Sequence, residues 1–219
     1  MNNANKIINL LKKDYTVDFF AEKHDRDPFK VLVSCIISLR TKDEVTYPAA
    51  QRLFNLADTP KKMMELSEKQ IAKAIHPAGF YKTKAKRIRD IAKQLYENYE
   101  SKVPDSIEEL IKFKGVGRKT ANIVMVFGFN KPAVPVDVHV HKISNRLGWV
   151  KTKTPEQTEQ ELRKKLPKKY WLVINELFVR HGQNICFTRN PKCSLCKIYK
   201  YCKRVNVKTK YTSKYTSKK

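Results

Sequence analysis

The chain is short of acid: 21 Asp plus Glu stand against 46 Lys plus Arg in 219 residues, a formal charge of +25 at pH 7. It also lacks a long apolar run. The longest, Ala121 to Phe129, is broken by Asn122 and is far too short to span a bilayer. No secretory signal is visible, because Ile7, Ile8, Leu10 and Leu11 run straight into Lys12, Lys13 and Asp14. No series of alternating strands and hairpins is present either, which leaves an all-α fold as the expectation. Together these absences predict a soluble intracellular protein with no membrane segment. In that compartment five cysteines read as metal ligands or buried thiols, not as a disulfide framework.

What is present supports a packed core. Hydrophobic residues make up 41% of the chain and aromatics 10%, enough for one large domain or two small ones. The cationic surplus points to a polyanionic partner, since neutralising phosphates releases condensed counterions. A lysine-rich proteome would give the same surplus with no nucleic-acid role. Residues 203–219 hold seven Lys or Arg and no acid, yet 39 basic residues remain before them against 21 acids. The charge therefore belongs to the body as well as to this tail. The tail repeats Tyr-Thr-Ser-Lys at 211–214 and 215–218 and is expected to be disordered.

Helix signals recur along the body. Asp27-Pro28 supplies a cap and an N1 proline before the apolar stretch Phe29 to Leu39, which suits a buried helix, although its β-branched residues equally suit a strand. Thr41 to Glu44, Ser67 to Gln70 and Ser106 to Glu109 have the form of capping boxes, and Thr154-Pro155-Glu156-Gln157 adds an N1 proline to one. Lys84 to Tyr99 reads as a basic amphipathic helix, Tyr170 to His181 as another, and Ala133 to Val136 as an extended link.

Four cysteines gather as Cys186-x6-Cys193-x2-Cys196-x5-Cys202. Loops of two to six residues let successive sulfurs meet at little closure cost, so the set can wrap structural zinc or an iron–sulfur cluster. Only one Cys-x-x-Cys unit exists, whereas zinc sites more often pair two. Cys35 sits in the apolar stretch and reads as a core residue.

Ile107 to Phe113 and Lys119 to Phe127 are helical patterns separated by Lys114-Gly115-Val116-Gly117-Arg118. Two glycines around one small apolar residue permit a tight hairpin whose second helix offers its N-terminal amides to a phosphate, without base contacts. An ordinary helix–helix turn has the same form. Lys119, at a helix start and followed by Ala121, Ile123, Val124 and Val126, is expected to meet a positive dipole end and an apolar wall, both of which favour a nucleophilic neutral amine. A phosphate contact is the plainer reading of its position alone. Asp137 stands at the N-cap of the next helix, where a carboxylate accepts backbone hydrogen bonds and remains available to stabilise a cation or relay a proton; a bare cap is the plainer reading. His139 and His141, two apart on a helix, do not share a face and are not read as a metal site.

Gly115-Val116-Gly117-Arg118-Lys119-Thr120-Ala121, then Val136-Asp137-Val138-His139, then the four cysteines, resemble the motifs of the endonuclease III-like DNA glycosylases, the helix–hairpin–helix Gly/Pro-Asp superfamily with an iron–sulfur cluster. The resemblance runs from about Phe29 to Cys202. It implies two helical lobes with the active site in the cleft: a six-helix barrel over residues 22–131, and a discontinuous lobe of 1–21 and 132–202 carrying a [4Fe-4S] cluster on the four cysteines. It implies a bifunctional enzyme, a DNA N-glycosylase and abasic-site lyase that removes oxidised pyrimidines in base excision repair.

In that reading Lys119 attacks C1′ of the flipped nucleotide, Asp137 supports charge as the base departs, and β-elimination breaks the strand 3′ to the lesion. Arg40 and the Ala78-Gly79-Phe80 loop fill the gap in the duplex, while Arg189 and Lys192, between the first two cysteines, present cations to DNA. Relatives commonly carry glutamine where Arg40 stands. Core packing is the plainer reading of Phe80. The implied partner is double-stranded DNA with damaged bases or abasic sites, bound by a monomer. Two rivals remain: a monofunctional mismatch or adenine glycosylase, whose members typically lack the hairpin lysine, and a non-catalytic DNA-binding protein.

Overall fold

The computed structural model describes residues 3–15 and 26–210. Every regular element among them is helical. Two compact units emerge, one from Met1–Phe19 with Pro132–Lys219 and one from Phe20–Lys131. The sequence-derived boundary at residues 21 and 22 lies outside the described residues. No helix among the described residues is long and apolar enough to cross a membrane.

The continuous unit is organised around α2 (Pro28–Ser38), which settles the helix-or-strand ambiguity of that stretch. Asp27 caps it as expected: its Oδ1 accepts from the Phe29 and Lys30 amides at 2.7 and 3.1 Å, with Pro28 in the first turn. Phe29 and the seven consecutive side chains from Val31 to Ile37 are buried, Cys35 among them. Burial pushes the Cys35 thiol up to about 12, the behaviour of an inert core thiol. Around α2 pack α3 (Asp43–Leu56), α6 (Tyr81–Asn98) and α8 (Arg118–Ile123), the last continuing as a π-helical turn over Val124–Gly128. Two short helices, α4 (Pro60–Glu65) and α5 (Glu68–Ile75), lie against α6.

Local signals held unevenly. Ser67 and Gln70 form the full reciprocal capping box. Ser106 and Thr154 each accept the amide three residues on, at 3.4 and 3.2 Å, but Glu109 turns to Tyr99 and Lys112, and Gln157 accepts from the Lys153 amide. The Thr41 box does not form. Helix α3 starts at Asp43 with Lys42 as an N-cap that makes no side-chain bond, because the Thr41 hydroxyl is engaged by Gly79 and Lys84. Helix α6 begins three residues before its expected start, after Phe80 at φ 56°.

The discontinuous unit packs α1 (Ala4–Asp14) and α9 (Val138–Leu147) against α11 (Ile174–Asn184), with α10 (Pro155–Lys165) against α9. The expected helix from Tyr170 is entered by a 3-10 turn over Lys168–Tyr170. Its core is contiguous and includes Ile7, Ile8, Leu11, Val134, Val140, Trp149 and Phe178. At Gly148, with φ 72°, α9 ends in a left-handed cap that glycine adopts without steric cost. The described part of the expected disordered tail, residues 203–210, is not loose. Lys203 lies over Gly148, the Val205 amide donates to Arg146 at 3.1 Å, and Thr209 donates to the Pro191 carbonyl at 2.6 Å. Residues 211–219, with their repeat, lie outside the described residues.

Candidate functional site

The hairpin is built from α7 (Ile107–Leu110), a turn and α8. Its first helix is shorter than expected because the chain leaves the helix after Leu110 and tucks Phe113 and Val116 into the core, 2% and 5% exposed. Gly115 takes φ 90°, a left-handed value open to glycine at little cost. Arg87 of α6 lies across it: a methyl group on Gly115 would stand 3.1 Å from Arg87 Cδ and 3.4 Å from Nη1. Gly117 caps α8 from the extended region and leaves open space where a side chain would be.

Lys114, Gly115, Gly117, Arg118 and Lys119 are all exposed. Lys119 occupies the first turn of α8, so the dipole placement expected of it is present. Ala121, Val124 and Val126 are buried and Ile123, one turn on, is half-buried, while Lys119 itself is exposed. Its positive charge acts on the buried Cys35 thiol and favours that thiolate.

Two further loops of the same unit meet. Arg40 and Phe80 both sit at positive φ, 53° and 56°, and the Arg40 guanidinium lies 5.8 Å from the centre of the Phe80 ring. Phe80 is 65% exposed, which rules out core packing; Ala78 is buried beneath it and Gly79 touches the Arg40 backbone.

In the other unit, Asp137 caps α9. Its Oδ1 accepts from both the His139 and Val140 amides, at 2.9 and 2.8 Å, and no hydrogen bond reaches Oδ2 among the described residues. One oxygen therefore holds the helix start while the other remains open to chemistry. The preceding link, Ala133 to Val136, is buried, and Asn175 of α11 donates to the Pro135 carbonyl at 3.0 Å, fixing the chain that delivers Asp137. His139 packs on Gly182, and His141 contacts the Thr158 hydroxyl at 2.7 Å, so the two imidazoles go to different structural tasks.

Cys186, Cys193, Cys196 and Cys202 line one cavity, walled on its apolar side by Ile143, Leu147 and Ile198. Burial raises three of these thiols, Cys193, Cys202 and Cys196, the last to about 12, and the negative charge of neighbouring thiolates raises each further. Thiols raised in this way ionise together only with cationic charge among them, which is the donor chemistry of a thiolate-held metal group. As the side chains stand, no three of the described His, Cys, Asp or Glu residues are drawn in around one ion. Arg146 braces the loop by donating to Cys186 Sγ at 3.2 Å and to the Phe187 and Thr188 carbonyls at 2.7 and 2.9 Å. Within that loop Arg189 is exposed and Lys192 lies over the Phe187 ring at 5.3 Å.

Comparison with known proteins gives this arrangement a context. A family model described as HhH-GPD superfamily base excision DNA repair protein matches residues 33–168. The chain belongs to that superfamily. Within it the chain is endonuclease III-like: it is 46% identical over 196 residues to the endonuclease III of Thermotoga maritima, covering 90% of this chain and 92% of that protein. It is 37% identical to the endonuclease III-like protein 1 of Mus musculus, covering 88% of this chain and 68% of the relative. A trapped endonuclease III–DNA covalent intermediate, an estranged-adenine complex, superposes with a TM-score of 0.75 at 31% identity, over 81% of this chain and 84% of the other. A thermostable thymine-DNA glycosylase shares the fold, with a TM-score of 0.74 at 24% identity over 82% and 85%. This HhH-GPD protein is thus a base excision repair DNA glycosylase.

Proposed function

We propose that the protein is a bifunctional glycosylase and abasic-site lyase acting on oxidised pyrimidines in duplex DNA, with Lys119 as nucleophile and Asp137 as the supporting carboxylate. The observation that carries the reading is the pairing of an exposed lysine in the first turn behind the Gly115–Gly117 hairpin with a capping aspartate that keeps one oxygen open.

The hairpin amides and the exposed Lys114 and Arg118 take the phosphate backbone, contacts that position the duplex without reading sequence. Arg40 and Phe80 fill the space left when the damaged nucleotide turns out of the stack. The lone pair of Lys119 Nζ attacks C1′ as the C1′–N bond breaks with its electron pair leaving on the base, which takes up a proton, and Asp137 Oδ2 stabilises the cationic sugar. Nζ then gives up a proton and the C1′–O4′ bond breaks, its electron pair going to O4′, which is protonated, so that the opened sugar is joined to Lys119 as an imine. The imine acidifies the 2′ hydrogen, and removal of that proton expels the 3′ phosphate and cuts the strand.

Cys186, Cys193, Cys196 and Cys202 would hold a [4Fe-4S] cluster, supported over zinc by the six, two and five spacing and by the endonuclease III relatives. These four thiolates would thereby be tied together at the base of the loop that presents Arg189 and Lys192. The partner is double-stranded DNA carrying a lesion or abasic site, engaged by one copy of the chain.

Scission of a duplex containing thymine glycol tests the reading. Wild type releases the base and leaves a β-elimination end, whereas Lys119→Gln binds the duplex and does not cut it. Scission retained in Lys119→Gln would remove the lysine from its role.

A further inference from the structure

Lys84 is a charged residue in an apolar place. It is 2% exposed, one turn before Ile88 on the buried face of α6. No carboxylate pairs with it among the described residues; its Nζ donates to the Ile37 carbonyl at 2.6 Å and to Thr41 Oγ1 at 2.7 Å. Burying an ammonium without a counter-ion is costly, and here burial alone lowers the group to about 8. The acceptors show what that cost maintains. Ile37 ends the buried run of α2, and Thr41 lies just beyond Arg40.

Thr41 extends the connection. Its hydroxyl accepts from Lys84 and from the Gly79 amide at 3.1 Å, and donates to the Leu39 carbonyl at 3.4 Å, which uses both lone pairs and the proton. Gly79 comes so close that a methyl group on it would stand 2.9 Å from the Arg40 carbonyl oxygen. Arg40 and Phe80, one on each loop, are held at positive φ, a conformation that non-glycine residues keep only when their surroundings enforce it. They flank a shallow cavity lined also by Leu39, Thr83, Lys84 and Arg87.

We infer that Lys84 and Thr41 form a latch that joins the 39–41 and 78–80 loops into one rigid wedge, so that Arg40 and Phe80 enter the duplex as a preformed unit. Lys84 is a positioning residue and touches no reacting atom. The inference rests on the proposed role of these loops in filling the duplex. A preformed wedge pays its ordering cost during folding, leaving more binding energy to hold the opened duplex.

The test uses a duplex with an uncleavable tetrahydrofuran abasic analogue opposite 2-aminopurine, whose fluorescence rises when it leaves the stack. Single-turnover excision from a thymine glycol duplex is measured in parallel on wild type, Lys84→Met, Lys84→Arg and Thr41→Val. Wild type raises the fluorescence. Lys84→Met and Thr41→Val lose most of that rise and slow excision at least ten-fold while retaining cooperative melting, and Lys84→Arg, which keeps its donors, recovers part of both. If Lys84→Met does not fold, Thr41→Val decides, since it removes the bridging hydroxyl with little change of shape. Folded variants with the full rise and wild-type excision overturn the latch alone. Wild type that binds the duplex with no rise overturns the wedge reading and the latch with it.

Discussion

Asp137 combines two roles on different oxygens, so substitution should separate them. Both capping bonds end on Oδ1, at 2.9 Å from the His139 amide and 2.8 Å from the Val140 amide. Asn retains an Oδ1 that can accept both and replaces only the open oxygen, whereas Ala removes the cap. Losing an N-cap costs about 1 kcal/mol, and for a chain of this size that lowers the melting midpoint by about 2–4 °C. Asp137→Ala should show that shift, and Asp137→Asn should melt within about 1 °C of wild type, the Asn cap being nearly equivalent. Single-turnover base release should fall about 10²–10⁴-fold in both variants, the range expected when a positioned acid–base group is lost. Calorimetry and rapid-quench measurement on a thymine glycol duplex supply the two numbers. An Asp137→Asn enzyme that keeps its rate, or whose rate loss only follows a loss of folded protein, would refute the division of labour and leave Asp137 a cap.

Further outcomes follow from the packing, the thiols and the buried lysine. Gly182→Ala should destabilise by several kcal/mol or prevent folding, because the added Cβ would stand 2.1 Å from His139 Nδ1 and α9 cannot move off α11 without disturbing Asp137; a wild-type melting curve would contradict it. Purified protein should contain about four irons and four sulfides per chain on the four thiolates, and stoichiometric zinc in a colourless, stable protein would replace the cluster assignment. Lys84 titrates near 8 folded and 10.5 unfolded, so between these values the unfolded chain binds the extra proton and stability rises with pH. Relative to Lys84→Met, wild type should therefore gain up to about 3 kcal/mol in denaturant unfolding between pH 7 and 11, the gain disappearing as pH falls back through 8. Parallel curves would show that Lys84 is not held in a desolvated site.

Patterns with a local cause were legible in the sequence. The Asp27-Pro28 start, the Ser67 box, the capping position of Asp137 and the gathering of four cysteines each depend on residues a few positions apart, and each appears in the structure. What failed depended on distant partners. Thr41 had the form of an N-cap, but Lys84, 43 residues on, and Gly79 take its hydroxyl. Ala121, Val124 and Val126 after Lys119 are buried while Lys119 is exposed, so their presence in sequence said little about the ammonium itself. Lys84 does carry a sequence signal: it stands four residues before Ile88 and seven before Ile91, in phase with the buried face, but the amphipathic pattern itself starts at Lys84, where a lysine looks like an exposed end. Arg87, Asn175 and Arg146 left no such trace, because their partners are a glycine turn and backbone carbonyls in other elements.

The most direct test of the central claim is borohydride reduction of the enzyme during turnover on a thymine glycol duplex, followed by mass mapping of the cross-linked peptide. The account predicts a covalent adduct in wild type, located on Lys119 and absent from Lys119→Gln. Base release without an adduct, or an adduct that maps to another amine and persists in Lys119→Gln, would contradict it.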